Sequence, residues 1–546
     1  MFLHAMQLDA SRASGRKGHL LRWILDPTAG PRHIFVARWL FIRALAGIYF
    51  SAFFALLFQV KGLVGPAGIL PAGSYLKQVA EVMRTSRFWF APTLLWLAPD
   101  SQLLMVVMWI GLAASVLAFL NLWPRLNLLV CFVCFLSFVA AAQDFSGYQS
   151  DGMLLEAGFL ALFFVPRGLL PGWGADRPTS RLSLWLLQWE WFRIYFESGL
   201  AKWLFGDPEW HNGTAMYEYY QNSPLPTWIG WYLGHAPRWF QIASTNGTLV
   251  MEFVIVCLLF FGRRARLVCF LIVTPWEIGV ILTGNYAFLN YLVLSLGFLL
   301  LADSDMLRVV PHRWRPRSSE DVSQEQGSSS HHEPHHQWLA ALRAAKLVAA
   351  APCLLLVGYV TTVELINMIS PNNPLPHTPV QLLEPLRIAN QYGLFATMTH
   401  GRYEIEFQGS DDGVHWTPYS FRYKPQALSE RPRIYAPYQP RFDWNLWFAS
   451  LGDWQQNSIV PLTQERLLDG DADVLGLFRT NPFPLHPPRF VRTVLWQYWF
   501  TSLAKKHSTG EWWRRSLLGQ YSPTLTRLED GTFAALDRPD PLPPHE

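Results

Sequence analysis

The sequence predicts a polytopic α-helical membrane protein of about nine spans, followed by a C-terminal soluble domain of β-sandwich-like or mixed character. Three observations predict it. Of 546 residues, 51% are apolar and only 15% charged, with 26 Trp and 37 Phe. The mean hydropathy of +0.13 averages two unlike parts: long apolar stretches from Ile34 to Ala302, and a water-soluble pattern from Pro371 to Glu546. Within the second part, one segment alternates at period two, as a half-buried strand does. So much apolar surface excludes a disordered chain. Five Cys cannot staple a chain this long, and a dispersed net charge of +4 excludes nucleic acid as a partner. At roughly 100–200 residues per domain, the length suggests two or three domains.

A helix crosses a bilayer with about 20 predominantly apolar residues, roughly 17–25 being tolerated. Nine stretches are candidates: Ile34 to Val60, Leu103 to Leu120, Leu126 to Ala142, Met153 to Val165, Leu182 to Phe205, Leu249 to Phe261, Leu267 to Thr283, Ala287 to Leu301, and Ala340 to Ile366. Tyr75 to Leu97 is amphipathic and holds Pro92, so it is expected to be interfacial or re-entrant. The chain then divides into a basic cytosolic N-terminus (1–33), a multi-span domain (34–302), a polar His-rich linker (303–339), a last transmembrane helix (340–366) and an exported soluble domain (367–546).

Charge bias orients the spans. The N-terminus carries Arg12, Arg16, Lys17, Arg22 and Arg32 without a cleavage site, so no cleaved signal peptide is expected. With this end inside, the inner loops hold Arg125, Arg167, Arg177, Arg181, Arg263, Arg264, Arg266, Arg308, Arg313, Arg315 and Arg317. The outer loops hold Asp144, Asp151, Asp207, Glu209, Glu218 and Arg238. One outer loop, with Lys61, Lys77, Arg84 and Arg87, breaks the pattern. An odd span count places the C-terminal domain on the exported side: the periplasm of a bacterium, or the lumen of the endoplasmic reticulum in a eukaryote.

The run from Trp189 to Lys202 carries charges where they are expensive. Glu190, Arg193 and Glu197 fall on one helix face at i, i+3 and i+7. Each costs on the order of 2.5–3.5 kcal/mol at mid-membrane, and Arg193 offsets this by pairing with both carboxylates. Two readings stay open here: a polar cavity opening outward, or an ion-pair network that fixes helix packing. Lys202 lies further along, near the outer interface. Asp144, Tyr148, Asp151 and Glu156, with Asp207 and Trp210, are expected to line the same mouth, and Glu252 and Glu277 lie in apolar spans from which they could join it. Cys131 and Cys134 form C-x-x-C inside an apolar span, where small packing residues are expected rather than a redox pair. His331, His332, His335 and His336 read as a solvated loop with no fixed metal geometry. Asn212-Gly213-Thr214 and Asn246-Gly247-Thr248 are glycosylation sequons, relevant in a eukaryotic host alone.

In the soluble part, Arg402 to Ser410 alternates as a strand. Asp411-Asp412-Gly413 makes a tight turn, and His415 to Phe421 starts the return. Amphipathic helices are expected from Glu465 to Phe478 and from Glu511 to Leu518. There is no G-x-S-x-G, H-E-x-x-H or P-loop, so no catalytic residue, metal or cofactor is expected. Trp416, Trp444, Trp447 and Phe448 are expected to form a client-binding surface.

Several motifs occur together in order. They are Gly147 to Gly158, Gly199-Leu200-Ala201-Lys202 with Gly206-Asp207, Ser223-Pro224-Leu225-Pro226 with Trp231-Tyr232-Leu233, and Gly284-Asn285-Tyr286 with Phe288-Leu289-Asn290. Arg441-Phe442-Asp443-Trp444 through Ala449, Asn481-Pro482-Phe483 and Pro487-Pro488-Arg489 follow. Over roughly Leu122 to Pro523, the chain resembles the lipase maturation factors. The resemblance implies a non-enzymatic folding factor in the endoplasmic reticulum membrane that assists secreted lipases through its lumenal C-terminal domain. In a bacterium, the inner membrane and other exported clients replace these. Tyr195-Phe196, Gly199, Lys202 and Trp210 also resemble, more distantly, the membrane domain of vitamin K-dependent γ-glutamyl carboxylase. That alternative implies a membrane enzyme acting on a lipid or quinone, with Lys202 as base.

Overall fold

In a computed structural model, the described residues are 33–174, 180–205, 207–308 and 337–543, with side chains from residue 350 onward in the last of the long helices. The basic N-terminal residues and the cluster of His331, His332, His335 and His336 lie outside the described residues. Helices stand at all nine predicted apolar stretches: α1 (Phe35–Leu57), α2 (Ser101–Phe119), α3 (Pro124–Val139), α4 (Gln149–Phe164), α5 (Arg181–Leu204), α6 (Arg238–Phe260), α7 (Arg263–Thr283), α8 (Leu289–Leu300) and α9 (Gln337–Ile369). Five are long and apolar enough to cross a membrane: α1, α2, α6, α7 and the Ala350–Ile369 portion of α9. Of the others, α3 and α8 are apolar but shorter, α4 has 16 residues, and α5 has 24 but carries the charges.

The membrane core forms around α1, whose Phe41, Leu45, Tyr49 and Phe53 are buried. Phe135 of α3 meets Tyr49 edge-on at a centroid distance of 6.1 Å and Phe53 at 6.0 Å, a preferred aromatic geometry. The opposite faces stay apolar and uncovered, as at Val106, Trp109 and Ile110 of α2 and Leu271 of α7. The Tyr75 to Leu97 stretch does not form one long helix. Ala72–Met83 buries Leu76 and Val79 along one side, then gives way to short turns.

The C-terminal domain carries one five-stranded antiparallel sheet of order β2-β1-β3-β4-β5: β1 (Arg402–Ser410), β2 (Thr417–Pro418), β3 (Phe490–Phe500), β4 (Trp513–Arg527) and β5 (Phe533–Ala535). The β1–β3 register runs from Arg402 opposite Tyr498 to Ser410 opposite Phe490. A second sheet was expected for a sandwich. Helices α10 (Arg441–Ala449) and α11 (Ile459–Asp469) pack on this sheet instead, so the layer architecture is helix on sheet. Gln464 of α11 bolts the layers together by donating to the carbonyls of Val491 and Pro523, both at 2.9 Å.

The predicted hairpin forms. Asp412 Oδ1 accepts from the amides of Val414 and His415, each at 2.8 Å, Gly413 takes φ +74°, and β2 pairs with β1 at Gly409 and Thr417. Hydrogen bonds from His415 above all hold the Asp412 carboxyl below its usual range. The helix expected at Glu511 to Leu518 is the start of β4, because pairing with β3, including Phe500 opposite Trp513, overrides local preference. The helix expected from Glu465 to Phe478 is two pieces, the end of α11 and Ala472–Leu475, divided at Gly470 with φ +69°.

Candidate functional site

The intramembrane charges converge on a segment that leads into the sheet. Arg193, Glu156 and Glu197 are fully buried. Arg193 ion-pairs with Glu156 of α4, lies 3.7 Å from Glu197, and donates to the Asn390 carbonyl at 2.6 Å. Glu156 Oε2 accepts from the Asn390 amide at 3.0 Å and the Tyr392 hydroxyl at 2.8 Å. Glu197 Oε2 accepts from the Tyr392 amide at 2.8 Å. Glu190, expected as a partner of Arg193, is buried but Glu156 takes its place, because that carboxylate also meets the entering backbone. Gly152 permits the approach: a Cβ there would lie 2.7 Å from Asn390 Oδ1.

The same strapping continues along the segment. Ser198 Oγ accepts from the Leu394 amide at 3.2 Å, Lys202 Nζ donates to the Leu394 carbonyl at 2.8 Å, and Trp210 Nε1 to the Phe395 carbonyl at 3.0 Å. Asp207 Oδ2 accepts from the Met398 amide at 2.5 Å. Further in, buried Arg402 donates to the carbonyls of Ser223 at 2.5 Å and Pro224 at 3.1 Å. Arg441 of α10 grips Asp151, and Tyr148 donates to its carbonyl at 3.3 Å. Asn285 Oδ1 accepts from the amides of Tyr435 at 2.6 Å and Ala436 at 3.0 Å. Asp144 is exposed. Of the two sequence readings, the network that fixes packing describes Glu156, Arg193 and Glu197, and what it fixes is the C-terminal domain against the membrane helices.

A cavity exists beside this network. It has a volume of about 640 Å³ and lies among α5, α6 and α7, with Lys202 and Trp210 in its wall. Most of its lining is apolar or aromatic, including Trp276, Val280 and Phe395. Glu252 and Glu277 join it. Lys202 pairs with Glu252 Oε1 at 2.7 Å, while Glu277 accepts from Tyr195 and Asn290, both at 2.7 Å. Glu252 sits in a π-helical turn, Met251–Ile255, a distortion that re-aims side chains and recurs at functional sites. Gly199 lets that turn close on α5, since a Cβ there would stand 3.0 Å from Glu252 Cβ.

Two family descriptions match in order: "Lipase maturation factor transmembrane domain" over residues 36–308 and "Lipase maturation factor C-terminal domain" over 388–523. The chain is 31% identical to Lipase maturation factor 1 of Mus musculus over 95% of the chain and 93% of that protein. It is 31% identical to Lipase maturation factor 2 of Gallus gallus, over 95% and 85%, and 30% identical to Lipase maturation factor 1 of Homo sapiens, over 95% and 93%. The chain belongs to the lipase maturation factor family. No solved structure matches it.

In this lipase maturation factor family member, the second matched region begins at residue 388, directly before the strapped segment. The aromatic surface expected from the sequence is divided. Trp444 and Trp447 are each 7% exposed, since Trp444 packs edge-on against Tyr148 at 5.3 Å. Trp444 thus belongs to the interior that joins α10 to the membrane domain, and Trp447 is buried beside Phe448. Phe448 is 46% exposed, and Trp416 is half-buried under Arg492, whose guanidinium carbon is 4.0 Å from the ring centre. Cys131 and Cys134 are buried, unbridged packing residues. Among the described residues, one trio brings metal-capable atoms within 4.8 Å of one another, Glu209, Glu218 and His400. No sequence signal flagged it, because 182 positions separate Glu218 from His400. Glu218 is also engaged, accepting from Asn222 Nδ2 at 2.5 Å.

Proposed function

We propose that this integral membrane protein is a maturation factor that assists folding or assembly of secreted lipases or other exported proteins. The reading rests on one observation, the ordered match to lipase maturation factors across nearly the whole chain. Its membrane is that of the endoplasmic reticulum in a eukaryotic host, or the inner membrane in a bacterial one. The positive-inside bias supports nine crossings, with the C-terminal domain lumenal or periplasmic. There Phe448 and Trp416 offer a client surface, the two of the four expected aromatics that remain accessible.

The carboxylase-like alternative has no support. An ammonium has three protons, and Lys202 directs them at Glu252, the Leu394 carbonyl and, at 3.4 Å, the Ser198 carbonyl. The similar proteins are maturation factors by name. The test is complementation. Expressed in cells lacking their own lipase maturation factor, the chain should raise the specific activity of a secreted dimeric lipase. A folded, membrane-inserted protein that leaves that activity at the deficient level overturns the proposal.

A further inference from the structure

The cavity among α5, α6 and α7 has features that packing does not explain. Glu252 and Asn290 line it and are at least nine-tenths buried, yet Glu252 Oε2 and Asn290 Oδ1 have no hydrogen-bond partner among the described residues. Both atoms are acceptors, and buried acceptors are costly when left without donors. The volume of about 640 Å³ falls within the roughly 300–1,000 Å³ typical of ligand pockets. Two glycines in the wall, Gly247 of α6 and Gly279 of α7, face open space where a Cβ would meet nothing within 4 Å.

We propose that this cavity binds a single-chain membrane lipid with a neutral, hydroxyl-bearing headgroup. Its hydroxyls donate to Glu252 Oε2 and Asn290 Oδ1, and its chain lies along the apolar wall. The location favours a lipid over a water-soluble ligand. Of the five long apolar helices, α6 and α7 are the least covered by protein, with 28% and 17% of their apolar windows buried, so the bilayer lies directly behind the cavity wall. Charge argues against an anionic headgroup. Lys202 is the wall's cation, its protons are committed to Glu252 and backbone carbonyls, and Glu277 adds a second carboxyl. A site built to receive hydroxyl donors discriminates strongly against an analogue that lacks them. Nothing in this binding requires bond chemistry or the lipase-client reading.

The test uses the full chain in nanodiscs and a labelled monoacylglycerol as probe. Saturable binding at one molecule per protein is expected. The monoacylglycerol whose two hydroxyls are methylated should bind at least tenfold more weakly, as should the anionic lysolipid lysophosphatidic acid of equal chain length. Gly279→Phe and, separately, Gly247→Phe should fill the cavity and remove binding while the thermal midpoint stays near that of the unaltered protein. Equal affinity for the methylated analogue or the lysolipid overturns the proposal, and so does binding retained by either folded variant. The analogue comparison is made on the unaltered protein, so it decides even if a variant fails to fold.

Discussion

Arg441 and Asp151, 290 positions apart in the chain, form a two-pronged buried pair, Nη1 to Oδ2 at 2.7 Å and Nη2 to Oδ1 at 2.8 Å. The pair joins the first helix after the hairpin domain's opening strands to the start of α4 in the membrane domain. Removing one partner of such a pair leaves the other charge buried, at a cost of about 3–5 kcal/mol. Asp151→Asn should therefore lower the thermal midpoint markedly. Replacing both partners at once, Asp151→Leu with Arg441→Met, should cost less than either single change. A double variant no more stable than the singles would contradict this account of the pair.

Arg193 lies between Glu156 and Glu197 and pairs with them while those carboxylates hold the amides of Asn390 and Tyr392. Arg193→Met should free the 390–394 stretch while leaving the sheet intact. Hydrogen exchange should then rise at Asn390, Tyr392 and Leu394 and stay unchanged in β1 and β3.

Much of this architecture was legible in the sequence, for physical reasons that also explain what was not. Apolar runs marked a helix at each of the nine predicted stretches, five of them long and apolar enough to cross a membrane, since such a helix is recorded in contiguous residues. Charges in the run from Glu190 to Lys202 announced that something polar lay within. Their partners, Asn390, Tyr392 and Leu394, offered no signal, because apart from the Tyr392 hydroxyl and the Asn390 side-chain amide they act through backbone amides and carbonyls that every residue possesses. Nothing local in the sequence pointed to the partners of Arg402 and Arg441, because folding alone brings Ser223 and Asp151 to them. The start of β4 was misread because its exposed edge residues carry no period, and pairing with β3 decides its conformation. Trp444 and Trp447 read as surface because nothing local marks their burial, which for Trp444 comes from packing against Tyr148 at the start of α4.

Asp443 of α10 is buried, and that burial pushes its carboxyl from 3.8 up to about 6, although the nearby Lys424 opposes the rise. The folded state therefore holds this proton more tightly than the unfolded chain. Stability should fall as pH rises from about 4 to about 6 and then level off, by roughly 3 kcal/mol at about 1.36 kcal/mol per unit. Asp443→Asn should flatten that slope, read as the difference between variant and unaltered protein in thermal midpoints measured at pH 5 and pH 8.

Phe448 and Trp447 are sequence neighbours with opposite surroundings. Trp447→Ala should destabilise by about 3–5 kcal/mol, as truncation of a buried Trp does. Phe448→Asp should leave the thermal midpoint within a few degrees and reduce rescue of secreted lipase activity. Full rescue by the Phe448 variant would remove this residue from the client surface.

The central claim is that membrane helices hold an antiparallel-sheet domain on the exported side, where clients fold. That domain has no Cys of its own, and Leu485 within it is 93% exposed, so Leu485→Cys provides a specific label site. A membrane-impermeant maleimide applied to the exported face of sealed, oriented membranes should label this variant without permeabilisation. Labelling from the cytosolic face alone would contradict the account.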